Sequence, residues 1–355
     1  MRLELRPAPS PTAALATPLI AIALTLVSGA ILFAALGRDP GEGFHAFFVQ
    51  PLSSAYGVAE LFLKAGPLML IATGLAIGYR ANVWNIGAEG QLVLGAIAGT
   101  GIALAFDESG AALVLPAMFL AGAVAGGAWA AIPAWLRTRF NANEILTSLM
   151  LVYIAQLLLS YLVHGPWRDP QGFNFPQSKL FADAALLAPW FEGLRLTHAF
   201  LVAIVGVAIG WVVMERSFLG FRLRVAGAAP DAARYAGFDA KRAIWVGMLA
   251  GGIAAGIAGV SEVAGPVGQL TPNVSPGYGF AAIIAAFVGR LHPIGIVFSS
   301  LLLALLYLGG ESAQIALNLP AAITGVFQGM LLIYLLAADV LIRYRVRGGH
   351  RNAVA

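Results

Sequence analysis

The stretch Asn85-Ile-Gly-Ala-Glu-Gly-Gln91 lies between two long apolar runs of a 355-residue chain. It brings one carboxylate, two amides and two glycines to a region whose neighbours have the composition of membrane-spanning helices. Polar side chains and helix-breaking backbone are tolerated at membrane depth only where protein or a water-filled cavity satisfies them. The segment therefore indicates a permeation path, and we expect the chain to move a polar solute across a membrane.

The composition excludes a soluble fold. Hydrophobic residues make up 59% of the chain and charged residues only 11%, with a mean hydropathy of +0.83, whereas soluble domains carry about 25% charged residues. The chain has no cysteine, and its five histidines are scattered. Neither a disulfide framework nor a metal site is predicted, and we expect no cofactor in this chain.

Hydropathy predicts an all-α integral membrane protein with about ten transmembrane helices, because roughly 20 apolar residues cross a bilayer. The first apolar run, residues 13–37, is longer than the core of a signal peptide, so we predict a retained helix. The predicted helices are residues 13–36, 56–79, 86–106, 112–135, 145–163, 199–214, 243–263, 278–289, 294–310 and 322–342.

The positions of the basic residues predict the topology. With the N-terminus inside, the inner segments hold 16 of the 21 Lys and Arg residues, as the positive-inside rule requires. We therefore predict a single multi-pass transmembrane domain over residues 1–355 with cytoplasmic N- and C-termini.

Two loops are longer than connectors need to be. Residues 164–198, predicted to be extracytoplasmic, contain four prolines and two tryptophans. They favour either an ordered surface lid or docking ledge, or a passive loop lying on the lipid headgroups. Residues 215–242, predicted to be cytoplasmic, carry six positive and three negative charges.

The cytoplasmic loop contains a predicted short helix, Pro230-Asp-Ala-Ala-Arg-Tyr-Ala236, followed by Gly237. Proline pre-sets the first turn, Asp231 suits the positive helix start, Arg234 suits the end and Gly237 can adopt the left-handed cap. This helix is either a binding surface for another protein or a surface helix that completes a turn between spans.

No motif predicts catalysis. The three lysines do not follow the glycine pattern of a phosphate-binding loop, and the HExxH and Gly-x-Ser-x-Gly motifs are missing from the sequence. The pairs Gly122/Gly126, Gly247/Gly251 and Gly252/Gly256 are small-xxx-small seams that we interpret as helix packing. The chain is not expected to be an enzyme.

Several polar residues could either line a path or simply pack. Glu60 and Lys64 are spaced for an ion pair on one helix face, so mutual neutralisation competes with solute contact. Glu89 has no partner within a helical turn, and with Asn85 and Gln91 it offers donors and acceptors to a polar solute.

Three further residues lie at predicted helix ends. Asn143 and Glu144 open the fifth helix at its inner end, where capping competes with a role in gating. Glu262 precedes a Gly-Pro step at the outer end of the seventh helix, where it could face a cavity or reach the headgroups.

Four blocks of sequence resemble the permease subunits of bacterial ABC importers for nucleosides and simple sugars, the group paired with basic membrane lipoproteins. They are NVWNIGAEGQLVLGA (82–96), NANEILTSLMLVYIA (141–155), FLGFRLRVAGAAPDAARYAGF (218–238) and GYGFAAIIAAFVGRLHPIGIVFSSLLLALLYLGG (277–310). The blocks occur in order over most of the chain. The resemblance implies a type II importer-like permease in the bacterial cytoplasmic (inner) membrane.

The resemblance also implies partners. These are a second permease chain, an ABC ATPase with two nucleotide-binding domains that binds ATP and Mg²⁺, and an extracytoplasmic substrate-binding lipoprotein; no nucleic acid is expected. The short helix from Pro230 would be a coupling helix that sits against the ATPase. Residues implied in this coupling are Arg222, Arg224, Pro230, Asp231, Arg234 and Tyr235. One departure is alanine at 228 and 229, where such permeases place a polar capping residue.

The same resemblance places Asn85, Glu89 and Gln91 along the solute path. The complete predicted path consists of these three residues with Trp84, Glu60, Glu262 and Phe287, and the predicted gate consists of Asn143 and Glu144. The two aromatic residues could stack on a nucleoside base or anchor helix ends at the membrane interface. The resemblance implies uptake of nucleosides or related purine and pyrimidine compounds. A simple sugar, a branched-chain amino acid and an ion-coupled transport mechanism remain alternatives.

Overall fold

The structure, a computed structural model, describes residues 2–5, 11–107 and 110–347. These residues are nearly all helical, apart from one short antiparallel ribbon. They form two compact units, one from Met1–Ser54 with Leu305–Ala355 and one from Ala55–Ala304. The boundaries between the units lie after Ser54 and within a helix near Leu305. The single transmembrane domain over residues 1–355 stays a prediction.

The first unit contains helices α1 (Pro11–Ala35), α2 (Pro40–Phe44) and α13 (Ile323–Arg343). Strand β1 (Arg2–Leu5) pairs antiparallel with β2 (Tyr344–Arg347), so these two segments lie on the same side of a membrane. Met1 and residues 348–355 lie outside the described residues, so the cytoplasmic location of the termini stays a prediction.

An aromatic cluster fills the first unit. Phe33 and Phe47 are fully buried. The Phe33 ring meets the edge of Phe44 with centroids 5.4 Å apart, and the Phe47 and Phe327 centroids are 4.6 Å apart. Such contacts add to the apolar area that these rings bury and hold α1, α2 and α13 together.

The second unit contains the remaining helices. They are α3 (Ala55–Arg80), α4 (Ala88–Ala105), α5 (Val114–Phe140), α6 (Glu144–His164), α7 (Ala199–Trp211), α8 (Phe218–Ala228), α9 (Pro230–Tyr235), α10 (Ala240–Glu262), α11 (Tyr278–Val288) and the start of α12 (Pro293–Leu317). Two helices continue as single π-helical turns, α7 through Val212–Arg216 and α10 through Val263–Val267.

Each of the ten predicted helical segments contains a helix. Among the described residues, eight helices are long and apolar enough to cross a membrane. The other two apolar helices are shorter. They are α11, Tyr278–Val288, and the part of α13 over Ile323–Ala338. The prediction of an all-α integral membrane protein is confirmed, and the count of ten crossings stays a prediction.

Glycines let α5 and α10 pack with their backbones in direct contact. A Cβ on Gly126 would overlap the carbonyl oxygen of Gly252, and a Cβ on Gly256 would overlap the carbonyl oxygen of Gly122. The interpretation of these small-xxx-small pairs as packing seams is confirmed. Because α5 and α10 interlock, they give α4 and α6 a rigid support.

The loop 164–198 is ordered through backbone hydrogen bonds. Ser178 N donates to Leu270 O at 2.9 Å, and Leu187 N donates to Ala264 O at 2.7 Å. Ser178 Oγ also accepts from Leu270 N at 2.9 Å. These bonds fix the loop to the segment after α10, which favours the ordered lid or ledge over a passive loop. Its location on the outer side stays a prediction.

Candidate solute path and coupling surface

Asn85 and Gln91 form a closed amide pair between α3 and α4. Asn85 Nδ2 donates to Gln91 Oε1 at 2.8 Å, and Gln91 Nε2 donates to Asn85 Oδ1 at 3.0 Å. Asn85 Oδ1 also accepts from Gly87 N at 3.0 Å, and both side chains are buried. A buried amide without partners is costly, so this pair stabilises the connection between the two helices.

Two further residues fix the same connection. Tyr79 Oη donates to the carbonyl oxygen of Asn85 at 2.9 Å. Ile86 N donates to Ser148 Oγ of α6 at 3.3 Å. The sequence gives no signal for Ser148, because a serine in an apolar helix is common and its partner lies 62 positions away. The connection between α3 and α4 is therefore held by the amide pair and is joined to α6 through Ser148.

Glu89 is buried and has a partner far along the chain. Its Oε2 accepts a hydrogen bond from Gly279 N, in the first turn of α11, at 2.7 Å. Ser275 and the backbone of Gly277 also hydrogen-bond to this carboxylate. Glu89 is therefore not an unpaired acid, although its partner lies 190 positions away, where local spacing cannot reveal it. Glu89 sits where the N-termini of α4 and α11 meet, and its negative charge complements both helix dipoles.

The other two predicted acids of the path lie together in a second cluster. Glu60 and Glu262 are both 7% exposed, and Glu60 Oε1 is 3.5 Å from Arg195 Nη1. Lys64 and Arg195 both act as favourable charges toward Glu262. Glu60 therefore has an ion-pair partner, Arg195, that local sequence spacing does not indicate, and its predicted pairing with Lys64 stays a prediction.

Arg195 belongs to the loop 164–198 and ties it to two helices. Its Nη2 donates to the carbonyl oxygen of Pro266 at 3.3 Å. Burial alone would lower the pKa of Arg195, but a hydrogen bond with Tyr56 and the charges of Glu60 and Glu262 raise the pKa overall. The guanidinium is thus a permanent cation between α3 and the end of α10.

The two predicted aromatic residues of the path are in contact with each other. The rings of Trp84 and Phe287 are stacked with centroids 5.6 Å apart, and Tyr79 stacks on Phe287 at 5.2 Å. Trp84 Nε1 donates to Asn82 Oδ1 at 2.9 Å. Both Trp84 and Phe287 are half-buried. The three rings link the end of α3 to α11, next to the amide pair.

The predicted gate residues lie at the start of α6, where Asn143 caps the helix and Glu144 pairs with an arginine. Asn143 Oδ1 accepts from Ile145 N at 2.9 Å and from Leu146 N at 3.4 Å. Glu144 is buried, and its Oε2 is 3.4 Å from Arg137 Nε at the end of α5. The capping interpretation of Asn143 is confirmed. A role of either residue in gating stays a prediction.

The predicted coupling helix is α9. Its N-cap is Ala229, whose methyl group cannot accept a hydrogen bond, as expected from the alanines at 228 and 229. Its C-terminus is a Schellman motif in which Phe238 N donates to Ala233 O at 2.9 Å and Gly237 takes a φ of 75°. Tyr235 is 97% exposed. The helix thus presents a bare aromatic side chain and a basic end.

Arg222 and Arg224, which lie near α9, make different kinds of contact. Arg222 lies over the Phe218 ring at 4.3 Å and near the Phe238 ring at 5.4 Å. Arg224 Nη2 is 3.0 Å from Glu215 Oε2, and Glu215 also pairs with Arg80 at 2.6 Å. Arg224 therefore anchors α8 to the ends of α7 and α3.

A surface cavity borders the coupling helix. It has a volume of about 430 Å³ and lies between α8 and the start of α10, where Arg222, Phe238 and Arg242 line it. Across the described residues, no group of three or more His, Cys, Asp or Glu side chains is arranged to hold a metal ion. Asp239 also lines the cavity and lies 3.7 Å from Arg242, so this surface offers aromatic rings, guanidinium groups and one carboxylate.

Comparison with known proteins identifies the family to which this chain is similar. A family model described as "Branched-chain amino acid transport system / permease component" matches residues 57–336. The glucose ABC transporter permease protein TsgB13 of Haloferax volcanii is 40% identical over 93% of this chain and 89% of its own length.

Two nucleoside permeases are also similar. The guanosine ABC transporter permease protein NupP of Bacillus subtilis is 30% identical over 93% of this chain and 95% of its own length. The nucleoside ABC transporter permease protein NupB of Lactococcus lactis subsp. cremoris is 31% identical over 82% of each chain. All three relatives are permease proteins of ABC transporters.

Proposed function

Because the chain belongs to the family of branched-chain amino acid transport system permease components, we propose that it is the permease subunit of an ATP-driven importer for nucleosides or a simple sugar. The observation that carries this proposal is the similarity, over 93% of the chain, to relatives that transport glucose and guanosine. Both solutes are neutral and carry a hydroxylated ring. A multi-pass location in the cytoplasmic (inner) membrane follows, and eight candidate spans support it.

ATP hydrolysis takes place in a partner chain with two nucleotide-binding domains, which binds ATP and Mg²⁺. The exposed Tyr235 and the basic end of α9 support contact with this partner, because Tyr and Arg side chains are favoured at the centres of interfaces. ATP binding closes the ATPase, and α9 transmits that movement to the spans. Glu215 with Arg80 and Arg224 makes the connection from the loop to α3 rigid enough to transmit it.

A second permease chain and an extracytoplasmic lipoprotein complete the importer. The ordered loop 164–198 is the proposed docking surface for the lipoprotein, because Arg195 connects this loop to α3 through Glu60. Movement of the docked lipoprotein would reach the spans through this ion pair. The Trp84 and Phe287 stack lies at the opposite, inner end of the predicted path, where it serves as a gate or as a surface for a base.

A simple sugar is the second candidate solute, and the 40% identity to a glucose permease favours it. A branched-chain amino acid is less well supported, because its carboxylate and ammonium groups need charges in the path, and Glu60 and Glu89 are already occupied by Arg195 and Gly279. The same occupancy argues against ion-coupled transport through these acids.

The test is uptake in cells that express this chain with the ATPase, the second permease and the lipoprotein. We expect uptake of labelled guanosine or glucose that survives a proton uncoupler and stops when cellular ATP is depleted. A substitution that inactivates the ATPase is the matched control. Uptake that stops with the uncoupler and survives ATP depletion would overturn the proposal.

A further inference from the structure

One exposed face of α6 is polar in the middle of a membrane span. Tyr153, Gln156, Ser160 and His164 are all exposed and follow one another at steps of three or four residues. On a helix this spacing places the four side chains on a single ridge. Gln156 is about 18 Å along the axis from the first residue of α6, at a rise of 1.5 Å per residue. Tyr153 and Gln156 therefore lie within the hydrocarbon thickness of about 30 Å, and His164 lies at the end of the helix.

The rest of α6 is arranged as a lipid-facing helix requires. Its buried face, with Val152 and Ala155, packs on α4, where a Cβ on Gly90 would lie 2.8 Å from the Cα of Val152. Its remaining exposed face is apolar and includes Ile154 and Leu158. Leu157, which is 71% exposed, lies on the same side of α6 as Tyr153 and Ser160, so the ridge is mostly polar and contains one apolar side chain.

Among the described residues of α5 and α7, the central turns expose only apolar side chains. On α5 the exposed central positions include Leu120, Val124 and Ile132, and on α7 they include Ile204 and Ile209. These faces suit lipid. The exposed central positions on these two helices are apolar, whereas α6 exposes amide and hydroxyl groups. Exposure alone therefore does not account for the polar residues of α6.

The polar groups of the ridge have unused hydrogen-bonding capacity. His164 Nδ1 lies 2.8 Å from the backbone oxygen of Ser160 and 3.4 Å from its Oγ. Within the part of the chain that the structure describes, the Gln156 amide makes no hydrogen bond. An amide transferred to hydrocarbon without partners costs several kcal/mol. Gln156 therefore needs a polar partner in the membrane, which water, a ligand or a second permease chain can supply.

We propose that this ridge of α6 lines the water-filled solute path, and that Tyr153, Gln156 and Ser160 bind a neutral, hydroxyl-bearing solute. The inference rests on the proposed import function and assigns residues to its binding surface. The ridge offers a phenol, an amide and a hydroxyl, which donate to and accept from sugar hydroxyls and base edges. It carries no carboxylate, lysine or arginine, so it suits a neutral solute better than a charged one.

The absence of cysteine from the natural sequence allows a direct test. In the complete transporter in membrane vesicles, single-cysteine variants Gln156→Cys and Ser160→Cys are treated with a charged thiosulfonate reagent. Ile154→Cys and Leu158→Cys, on the apolar face, are matched controls. We expect the ridge cysteines to react at least about tenfold faster, because the reactive thiolate forms in water and not in hydrocarbon. Labelling is measured as the mass of this chain.

Guanosine and glucose are then added at saturating concentration. We expect the solute that the same vesicles take up to slow labelling of Gln156→Cys several-fold. Equal reactivity on both faces, in vesicles that still transport, would overturn the inference and leave the proposed function standing. Reactivity without protection by solute would also overturn it, because the ridge would then face a second permease chain or a water-filled crevice. Failure of all variants and the natural chain to transport would instead count against the proposed function.

Transport kinetics give an independent readout. Gln156→Ala removes a hydrogen bond to a neutral solute, worth about 1 kcal/mol, so KM is expected to rise roughly five-fold with little change in maximal rate. Leu158→Ala on the apolar face is expected to leave KM unchanged. An unchanged KM in Gln156→Ala at normal expression would contradict a solute contact.

Discussion

Glu89 Oε2 accepts a hydrogen bond of 2.7 Å from the backbone N–H of Gly279, across 190 positions of sequence. The contact joins the first turn of α4 to the first turn of α11. A Cβ on Gly279 would overlap the backbone of Glu89, so only glycine permits this approach. Helix α11 is 11 residues long, too short to span a bilayer on its own, and its position depends on this junction.

Loss of the Glu89 carboxylate is expected to loosen α11. Glu89→Ala leaves the N–H of Gly279 buried without its acceptor, which costs roughly 1–3 kcal/mol, so thermal unfolding in detergent shifts to lower temperature and uptake falls. Glu89→Gln keeps an acceptor oxygen and is expected to be milder on both measures. Equal stability of Glu89→Ala and the natural chain would show that the junction does not stabilise the fold.

The amide pair of Asn85 and Gln91 should behave as one unit. Each single alanine substitution leaves the other amide buried without its partner, whereas the double substitution removes both. We expect the double variant to be less destabilised than the sum of the singles, with a coupling energy between about 0.5 and 3 kcal/mol. The double-mutant cycle is measured by thermal or denaturant unfolding. Additive effects would mean that each amide has other partners.

Local patterns predicted the parts of this molecule that local physics determines. Hydropathy located every long helix, and the Asn143 cap and the Gly237 left-handed turn followed from residue type and position. These features depend on neighbours within four or five residues. The resemblance of four blocks to a permease family supplied the function that no single motif carries.

Contacts between distant segments were beyond the reach of such patterns. Glu60 is close to Arg195, which lies in a loop far along the chain, and local spacing does not predict this contact. Glu89 and Ser148 likewise find partners on helices that only the packed fold brings near. The polar ridge of α6 is different, since the spacing of Tyr153 and Gln156 carries a helical signal that a periodicity count can detect.

The seam between α5 and α10 should not tolerate even one methyl group. Gly126→Ala places a Cβ against the carbonyl oxygen of Gly252 and forces the helices apart, at a cost of roughly 1–3 kcal/mol. Folded yield and melting temperature are expected to fall. The matched control is Gly325→Ala in α13, where a Cβ would meet no atom of the described residues within 4 Å. This control should be neutral or slightly stabilising, because alanine favours a helix over glycine by about 0.5–1 kcal/mol.

If α9 is the coupling helix, substitutions on its exposed surface should weaken association with the ATPase without lowering the stability of the fold. Tyr235 is 97% exposed, so Tyr235→Ala combined with Arg234→Glu should leave the melting temperature unchanged. Interface tyrosines and arginines often contribute 2 kcal/mol or more, so association with the ATPase is expected to weaken at least about tenfold, and uptake should fall with it. Association is measured by co-purification at graded ATPase concentrations.

The control for this variant is Phe173→Ala, which removes an equally bare aromatic side chain, 93% exposed, from the loop 164–198. If that loop lies on the outer side, this substitution leaves ATPase association intact. Normal association and uptake in the Arg234 and Tyr235 double variant would exclude α9 as the coupling element. The contact would then have to involve another part of the loop, and the cavity lined by Arg222 and Arg242 is the surface next to α9 that offers cations.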